Sequence, residues 1–192
     1  MSYGFMVWAV DTNRLKQAVG SKDERLLRTI AERSRRILAQ LDDIFEDSEL
    51  SAYEALRQII DGTIPPERVR GSLYAYAFEC LVSHLGTSLD NGAVMPWSRP
   101  DFEPVDRALE AMRVPFKMSA LYDFSLPVDL PYPDDFPLTG WVSAGMVTTI
   151  HEAFGKAPSV EMDSQTAEIV KCIRGWFHTA AAKGAGLVSY YH

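Results

Sequence analysis

Apolar positions recur along most of the chain at intervals that assign its elements. Residues 2–10 read as a strand, with Tyr3, Phe5, Val7 and Ala9 alternating with Gly4, Met6, Trp8 and Val10. Both sets are apolar, the pattern of a strand covered on both faces. Asp11-Thr12 supplies an N-cap for a short helix carrying Leu15, Ala18 and Val19, closed by Gly20. Ser21 caps a longer helix over about 22–46, in which Leu26, Leu27, Ile30, Ile37, Leu38, Leu41, Ile44 and Phe45 fall at helical spacing. Ser51 caps the next, with Tyr53, Leu56, Ile59 and Ile60 inward and Asp61-Gly62 at its end. Pro65-Pro66 opens another helix, since proline is tolerated in a first turn. Its stripe is Val69, Leu73, Tyr76, Ala77, Cys80, Leu81, His84 and Leu85, and Gly86 ends it.

The middle breaks this rhythm. Residues 95–141 hold 8 of the 11 prolines and 8 of the 21 aromatic residues. One short helix, near 103–113, keeps period through Val105, Ala108, Leu109 and Met112. The rest reads as irregular. A long irregular segment inside a compact domain is uncommon and often functional, and its aromatic content predicts that it is packed down. Regular spacing resumes with a helix over 144–154, capped by Ser143, with Met146, Val147, Ile150 and Phe154 inward. A final helix runs from Asp163 or Ser164 to about 183, with Ile169, Val170, Ile173, Trp176, Phe177 and Ala180 on one face. Gly184 stops it, and 186–192 is a strand rich in β-formers.

Two terminal strands with helices between predict an α+β fold: one predominantly helical domain, 1–192, around a small sheet in which the first and last strands pair. The length of 192 residues suits one domain with a sizeable core. Mean hydropathy is −0.09, and no run approaches the roughly 20 apolar residues of a membrane span.

Charge sharpens the picture. The net charge of −7 disfavours a reader of phosphate backbones. Residues 11–70 are nearly balanced, with 11 Lys+Arg against 12 Asp+Glu, whereas residues 101–163 carry 4 against 11, a deficit equal to that of the whole chain. The acidity therefore belongs to one stretch, which would keep a loop soluble or meet a basic partner. Arg25, Arg28, Arg33, Arg35 and Arg36 form a basic stripe that reads as a solvated face paired with neighbouring acids, or as an anion site. Cys80 and Cys172 are the only cysteines and lie in helical apolar patterns, as small core hydrophobes. The opening residues lack a basic region and a small-residue cleavage site, so a reduced, cytoplasmic chain is expected.

Three stretches resemble the YfbM-like proteins and, more closely, a related actinobacterial-type domain of unknown function. They are Tyr3-Gly4-Phe5-Met6 through Asp11 and Leu15; Phe78-Glu79-Cys80-Leu81-Val82-Ser83-His84-Leu85-Gly86-Thr87-Ser88; and Gly140-Trp141-Val142-Ser143 with the helix–strand close at 164–191. The chain departs from that pattern in the proline-rich stretch after the second motif. The resemblance implies the α+β fold and a shared pocket, and it brings no reaction with it.

Catalytic and cofactor motifs fail on spacing. Gly155-Lys156 is followed by Ala157 and lacks the upstream glycine of a phosphate-binding loop. Gly184-Ala185-Gly186 follows a helix and precedes a strand, the reverse of a dinucleotide fingerprint. His151-Glu152 has Gly155 where a zinc protease helix needs its second histidine. Gly140-Trp141-Val142-Ser143-Ala144-Gly145 has one residue too many before the serine for a nucleophile elbow, and Ser143 is explained as a cap. Asp134-Asp135 sits in a proline-flanked turn. No metal site and no cofactor are expected.

One gathering survives. His84 stands near a helix C-terminus, followed by Thr87, Ser88 and Asp90, and the aromatic segment adds Trp97, Tyr132 and Trp141. An apolar cleft with a few polar groups is the usual design for a small ligand. The expected function is a non-catalytic cytoplasmic binding or accessory protein of the immunity type, whose acidic proline/aromatic segment engages a basic protein partner or a small ligand. The alternative is a small hydrolase-like enzyme with a His84-centred pocket, His84 acting with Asp90 or with a carboxylate from 123–135.

Overall fold

The computed structural model describes residues 4–65, 70–94, 102–133 and 135–192. Residues 66–69 of the helix predicted to open at Pro65-Pro66, together with Trp97 and Asp134, lie outside them. The elements run β1 (Phe5–Val10), α1 (Thr12–Ala18), α2 (Glu24–Arg33), α3 (Arg35–Ile44), α4 (Ala52–Asp61), α5 (Gly71–Leu85), β2 (Thr87–Ser88), α6 (Glu103–Ala111), β3 (Leu138–Val142), α7 (Ala144–Lys156), α8 (Ser164–Ala182) and β4 (Gly186–Tyr191).

The four strands form one antiparallel sheet in the order β2-β1-β4-β3. As predicted, the first and last strands are central and paired, Phe5 opposite Tyr191 through Val10 opposite Gly186. The doubly apolar pattern of β1 follows from two cores. Phe5, Val7 and Ala9 face one, with Leu187, Tyr191, Val142 and residues of α6, α7 and α8. Trp8 and Val10 face the other, with Val188, Tyr190 and residues of α1 to α5. The domain is thus three layers, helices on each side of a small sheet.

Caps largely fall where short polar side chains predict. Asp11, Ser51, Ser143 and Asp163 accept hydrogen bonds from backbone N–H groups at the starts of α1, α4, α7 and α8. Gly62 ends α4 in the left-handed region. Several expectations need correction. The helix predicted over 22–46 is two, parted at Ser34, whose side chain is buried. Hydrogen bonds continue across the break, Ser34 N to Ile30 O and Leu38 N to Ser34 O, so the apolar period persists and hides the bend. After it, Ile37 and Ile44 face solvent. Asp23, not Ser21, caps α2. Met146 is exposed, and α5 begins at Gly71.

The largest correction concerns the middle. Residues 138–142, expected as irregular, form edge strand β3, with Pro137 immediately before it, where proline removes no ladder hydrogen bond. Thr87-Ser88 makes a second short edge. The expectation that the segment packs down holds: Phe102, Val105, Leu109, Phe116, Met118 and Leu121 are buried. The strap, residues 118–133, then crosses the outer edge of β3. On one side a 3-10 turn, Met118–Leu121, sits on the sheet, where Ser189 Oγ donates to the Leu121 carbonyl at 2.8 Å. On the other, Leu126, Val128 and Leu130 pack against the opposite core. Between them Ser125 Oγ accepts the Trp141 backbone N–H at 3.0 Å, occupying an edge donor that would otherwise be open to pairing.

Candidate functional site

Of the seven sequence-selected residues, Trp97 lies outside the described residues, and the other six do not assemble into one cleft. Ser88 is opposite Trp8, Trp8 is opposite Val188, and Val188 is opposite Trp141. These positions form one row across the sheet, so Ser88 and Trp141 are separated by three strand spacings, roughly 14 Å. Thr87 and Ser88 are exposed on edge strand β2. Trp141 is half-buried on the opposite edge, with its ring against the α1–α5 core and Lys16 Nζ 5.7 Å from its centroid. Its indole Nε1 is buried and has no hydrogen-bond partner among the described residues.

His84 occupies the last turn of α5 and is half-buried. Its Nδ1 lies 3.4 Å from Arg33 Nη1 of α2. Burial, then Arg33 and then Arg14, hold its pKa below the ordinary histidine value. Asp90 is turned elsewhere. Its carboxylate accepts the Gly92 N–H at 3.0 Å, and its carbonyl accepts from Cys172 Sγ at 3.1 Å and from Trp176 Nε1 of α8. There it borders a groove of about 550 Å³ with Lys171, Cys172, Gly175 and Trp176. A general base needs an acid or nucleophile within hydrogen-bond reach; the charged groups acting on His84 are two guanidiniums.

Both thiols are poorly suited to nucleophilic work. Burial is the main influence pushing Cys80 and Cys172 up to about 11, which leaves them protonated at neutral pH. His151 and His178 meet across α7 and α8 with ring centroids 5.3 Å apart. Among the described residues no three His, Cys, Asp or Glu side chains gather to hold a metal.

Tyr132 is the sequence-selected aromatic residue that, among those described, stands open to solvent. It is 64% exposed, and its ring stacks on Phe124 at 4.7 Å and 30°. The two rings border a cleft of about 230 Å³ whose wall includes Asp129, Leu130 and Pro131. The strap holds this pair in place from both ends. Asp123 Oδ1 accepts from the N–H and the hydroxyl of Ser125, fixing the turn around Phe124, which has φ +64°. The Tyr132 carbonyl rests on the Cα of Gly71, where a Cβ would come within 1.9 Å. Asp123, Asp129 and Asp135 are exposed around it. A stacked aromatic face beside carboxylates attracts cations through its π density and the negative charge together. Sequence reading selected Tyr132 but not Phe124: eight positions in an irregular segment carry no period that would pair them.

A second polar cluster escaped selection. His192 Nε2 lies 3.2 Å from Glu79 Oε1, beneath Tyr76 and Tyr190. Burial, with Glu79 and Asp135 adding to it, pushes Tyr76 up to about 12. The separation of 113 positions leaves no local signal of the contact.

No helix among the described residues is long and apolar enough to cross a membrane. No curated protein and no solved structure matches the chain. A family match covers residues 1–192, and the chain belongs to that family, whose description is Domain of unknown function (DUF7691).

Proposed function

We propose that this protein is a non-catalytic, cytoplasmic binding or accessory protein of the immunity type, and that its acidic proline/aromatic segment holds a basic stretch of a protein partner. The observation that carries the reading is Tyr132, exposed and stacked on Phe124 beside Asp129. An arginine or lysine laid on the Tyr132 face would meet aromatic π density and a carboxylate together, worth about 0.5–2 kcal/mol for one such contact. Several contacts along the strap would add to it, drawn by a negative charge confined to residues 101–163. The glycine-seated backbone presents the rings with little ordering left to do on binding. Kinship with the YfbM-like proteins, through Tyr3–Asp11, Phe78–Ser88 and Gly140–Ser143, belongs to the same reading.

Titration of an arginine- and lysine-rich peptide against its glutamine-substituted counterpart tests it. The basic peptide is expected to bind saturably, and Tyr132→Ala or Asp129→Asn to weaken it about tenfold, near 1.4 kcal/mol, without lowering thermal stability. Equal affinity of the Tyr132→Ala variant and the unmodified protein sinks the reading.

A further inference from the structure

The Arg33 guanidinium meets His84, and Arg14, on a helix packed against the same α5, acts on that imidazole as well. Arg14 lies on α1, Arg33 in the last turn of α2 and His84 in the last turn of α5, and α1 and α2 both pack against α5. Arg33 Nη1 stands 3.4 Å from His84 Nδ1. A guanidinium has only donors, so this contact is made with the neutral imidazole accepting at Nδ1. The ion pairs of the described residues join Arg57 to Glu24, Arg107 to Glu103 and His192 to Glu79; Arg14 and Arg33 take part in none of them. The charged groups acting on His84 are those two arginines, from α1 and α2. From α3, α4 and β1, which also pack against α5, no charged group acts on it among the described residues. Beyond Gly86, β2 presents the exposed hydroxyls of Thr87 and Ser88.

The arrangement is unusual in a chain of net charge −7. The C-terminal ends of α2 and α5 favour nearby cations, but only by about 0.3–1 kcal/mol each, and that does not call for a second cation from α1 beside Arg33. A guest of opposite charge turns mutual repulsion into convergent donation. Guanidinium forks match the oxygens of a phosphate group in spacing and planarity. Once an anion is present, the imidazole gains by protonating, and His84 becomes a further donor.

We infer that Arg14, Arg33 and His84 form a binding site for a phosphate-type oxyanion, separate from the aromatic strap. The site uses no residue of the proposed basic-partner surface, so each stands or falls alone.

The test is the imidazole titration of His84, followed by NMR in the intact protein with inorganic phosphate and with sodium chloride at matched ionic strength. Phosphate is expected to raise the His84 midpoint saturably, by about one pH unit, whereas matched chloride supplies only screening. Arg14→Gln/Arg33→Gln, both exposed positions, should abolish the phosphate-dependent shift while leaving the amide spectrum of the core unchanged. O-phosphoserine separates the sources of the group. A shift with both ligands assigns recognition to the phosphate group of a larger molecule, and a shift with inorganic phosphate alone assigns it to the free ion. Equal midpoints in phosphate and chloride overturn the inference, as does a phosphate-dependent shift that survives in the double variant.

Discussion

Glu79 Oε1 lies 3.2 Å from Nε2 of His192, joining α5 to the residue that follows β4. The imidazole lies nearly parallel to the rings of two tyrosines, Tyr76 at 5.4 Å and 17° and Tyr190 at 6.3 Å and 12°. Its backbone exchanges two hydrogen bonds with Gly4, extending the β1–β4 ladder by one pair. Side-chain stacking and the polar contact thus close the open end of the sheet over the α5 side. His192→Ala is expected to destabilise the fold by about 1–2 kcal/mol, since stacked ring pairs contribute about 0.5–1.5 kcal/mol beyond area burial and the partly exposed Glu79 contact adds less. His192→Phe keeps the stack and loses Glu79, so it should fall between. Urea unfolding midpoints decide it, and a His192→Ala variant within about 0.3 kcal/mol of the parent rules the latch out.

Thr139 and Tyr190 are cross-strand partners on β3 and β4, both fully buried, and neither hydroxyl has a hydrogen-bond partner among the described residues. Leaving a buried hydroxyl unpaired costs about 1–3 kcal/mol. Tyr190→Phe and Thr139→Val remove the hydroxyl and keep most of the shape. Each is expected to hold or raise stability, by up to about 1–2 kcal/mol, and the pair to be non-additive because the side chains are neighbours. A loss above about 1 kcal/mol in either single variant would mean that the hydroxyl is satisfied, and the prediction fails.

Which parts of this were legible in the sequence follows from what period reports. β1 was legible because it is apolar at consecutive positions, the pattern of cover on both faces, and β4 because it is rich in β-formers after a helix-ending glycine. α4, α7 and α8 were delimited by side chains that cap locally, Ser51, Ser143 and Asp163. The bend at Ser34 was invisible because a kink that preserves hydrogen bonding preserves the apolar interval. β3 was hidden for another reason. Its five residues include Gly140, whose lack of a side chain breaks the alternation but admits the Leu121 backbone. The candidate site suffered most. Tyr132, Trp141 and His84 are each picked out singly by residue type, but sheet order and strap path decide which residues meet. The pairs His84–Arg33 and Glu79–His192 span 51 and 113 positions.

Stability should depend on pH through His84. Its pKa is held below the ordinary histidine value of 6.5, by burial first and then by Arg33 and Arg14. Between the lowered folded value and 6.5 the unfolded chain binds more protons than the folded one, so stability falls as pH drops through that window and levels off below it. His84→Gln cannot take up a proton there. The variant is therefore expected to gain on the parent as pH falls from about 7 to about 5. Chemical unfolding at both pH values, in buffer free of phosphate, measures the difference. Parallel stability curves would show that His84 is not held in its neutral form by its neighbours.

Glycines at the strap distinguish a seated segment from a loose one. A Cβ on Gly140 would come within 2.3 Å of the Leu121 carbonyl carbon and 2.4 Å of the Ala120 oxygen, and both belong to backbone that Ser189 holds in place. Nothing at the end of a flexible side chain can move aside, so Gly140→Ala must push the 3-10 turn off the sheet. The expected cost is about 3–5 kcal/mol, the range of severe overpacking and strain. Gly71→Ala meets the Tyr132 carbonyl in the same way and should lift the Phe124–Tyr132 end of the strap. Gly175, inside α8, is the control: a Cβ there meets nothing within 4 Å, and alanine should gain about 0.5–1 kcal/mol from its better helix propensity. Thermal unfolding ranks the three variants, and limited chymotrypsin digestion reports whether cleavage at Phe124 and Tyr132 accelerates in Gly71→Ala ahead of the rest of the chain. If Gly140→Ala melts with the parent, or Gly71→Ala shows no faster cleavage at those two rings, the strap does not rest on β3 and α5, and the aromatic cleft loses the rigid floor on which its recognition role depends.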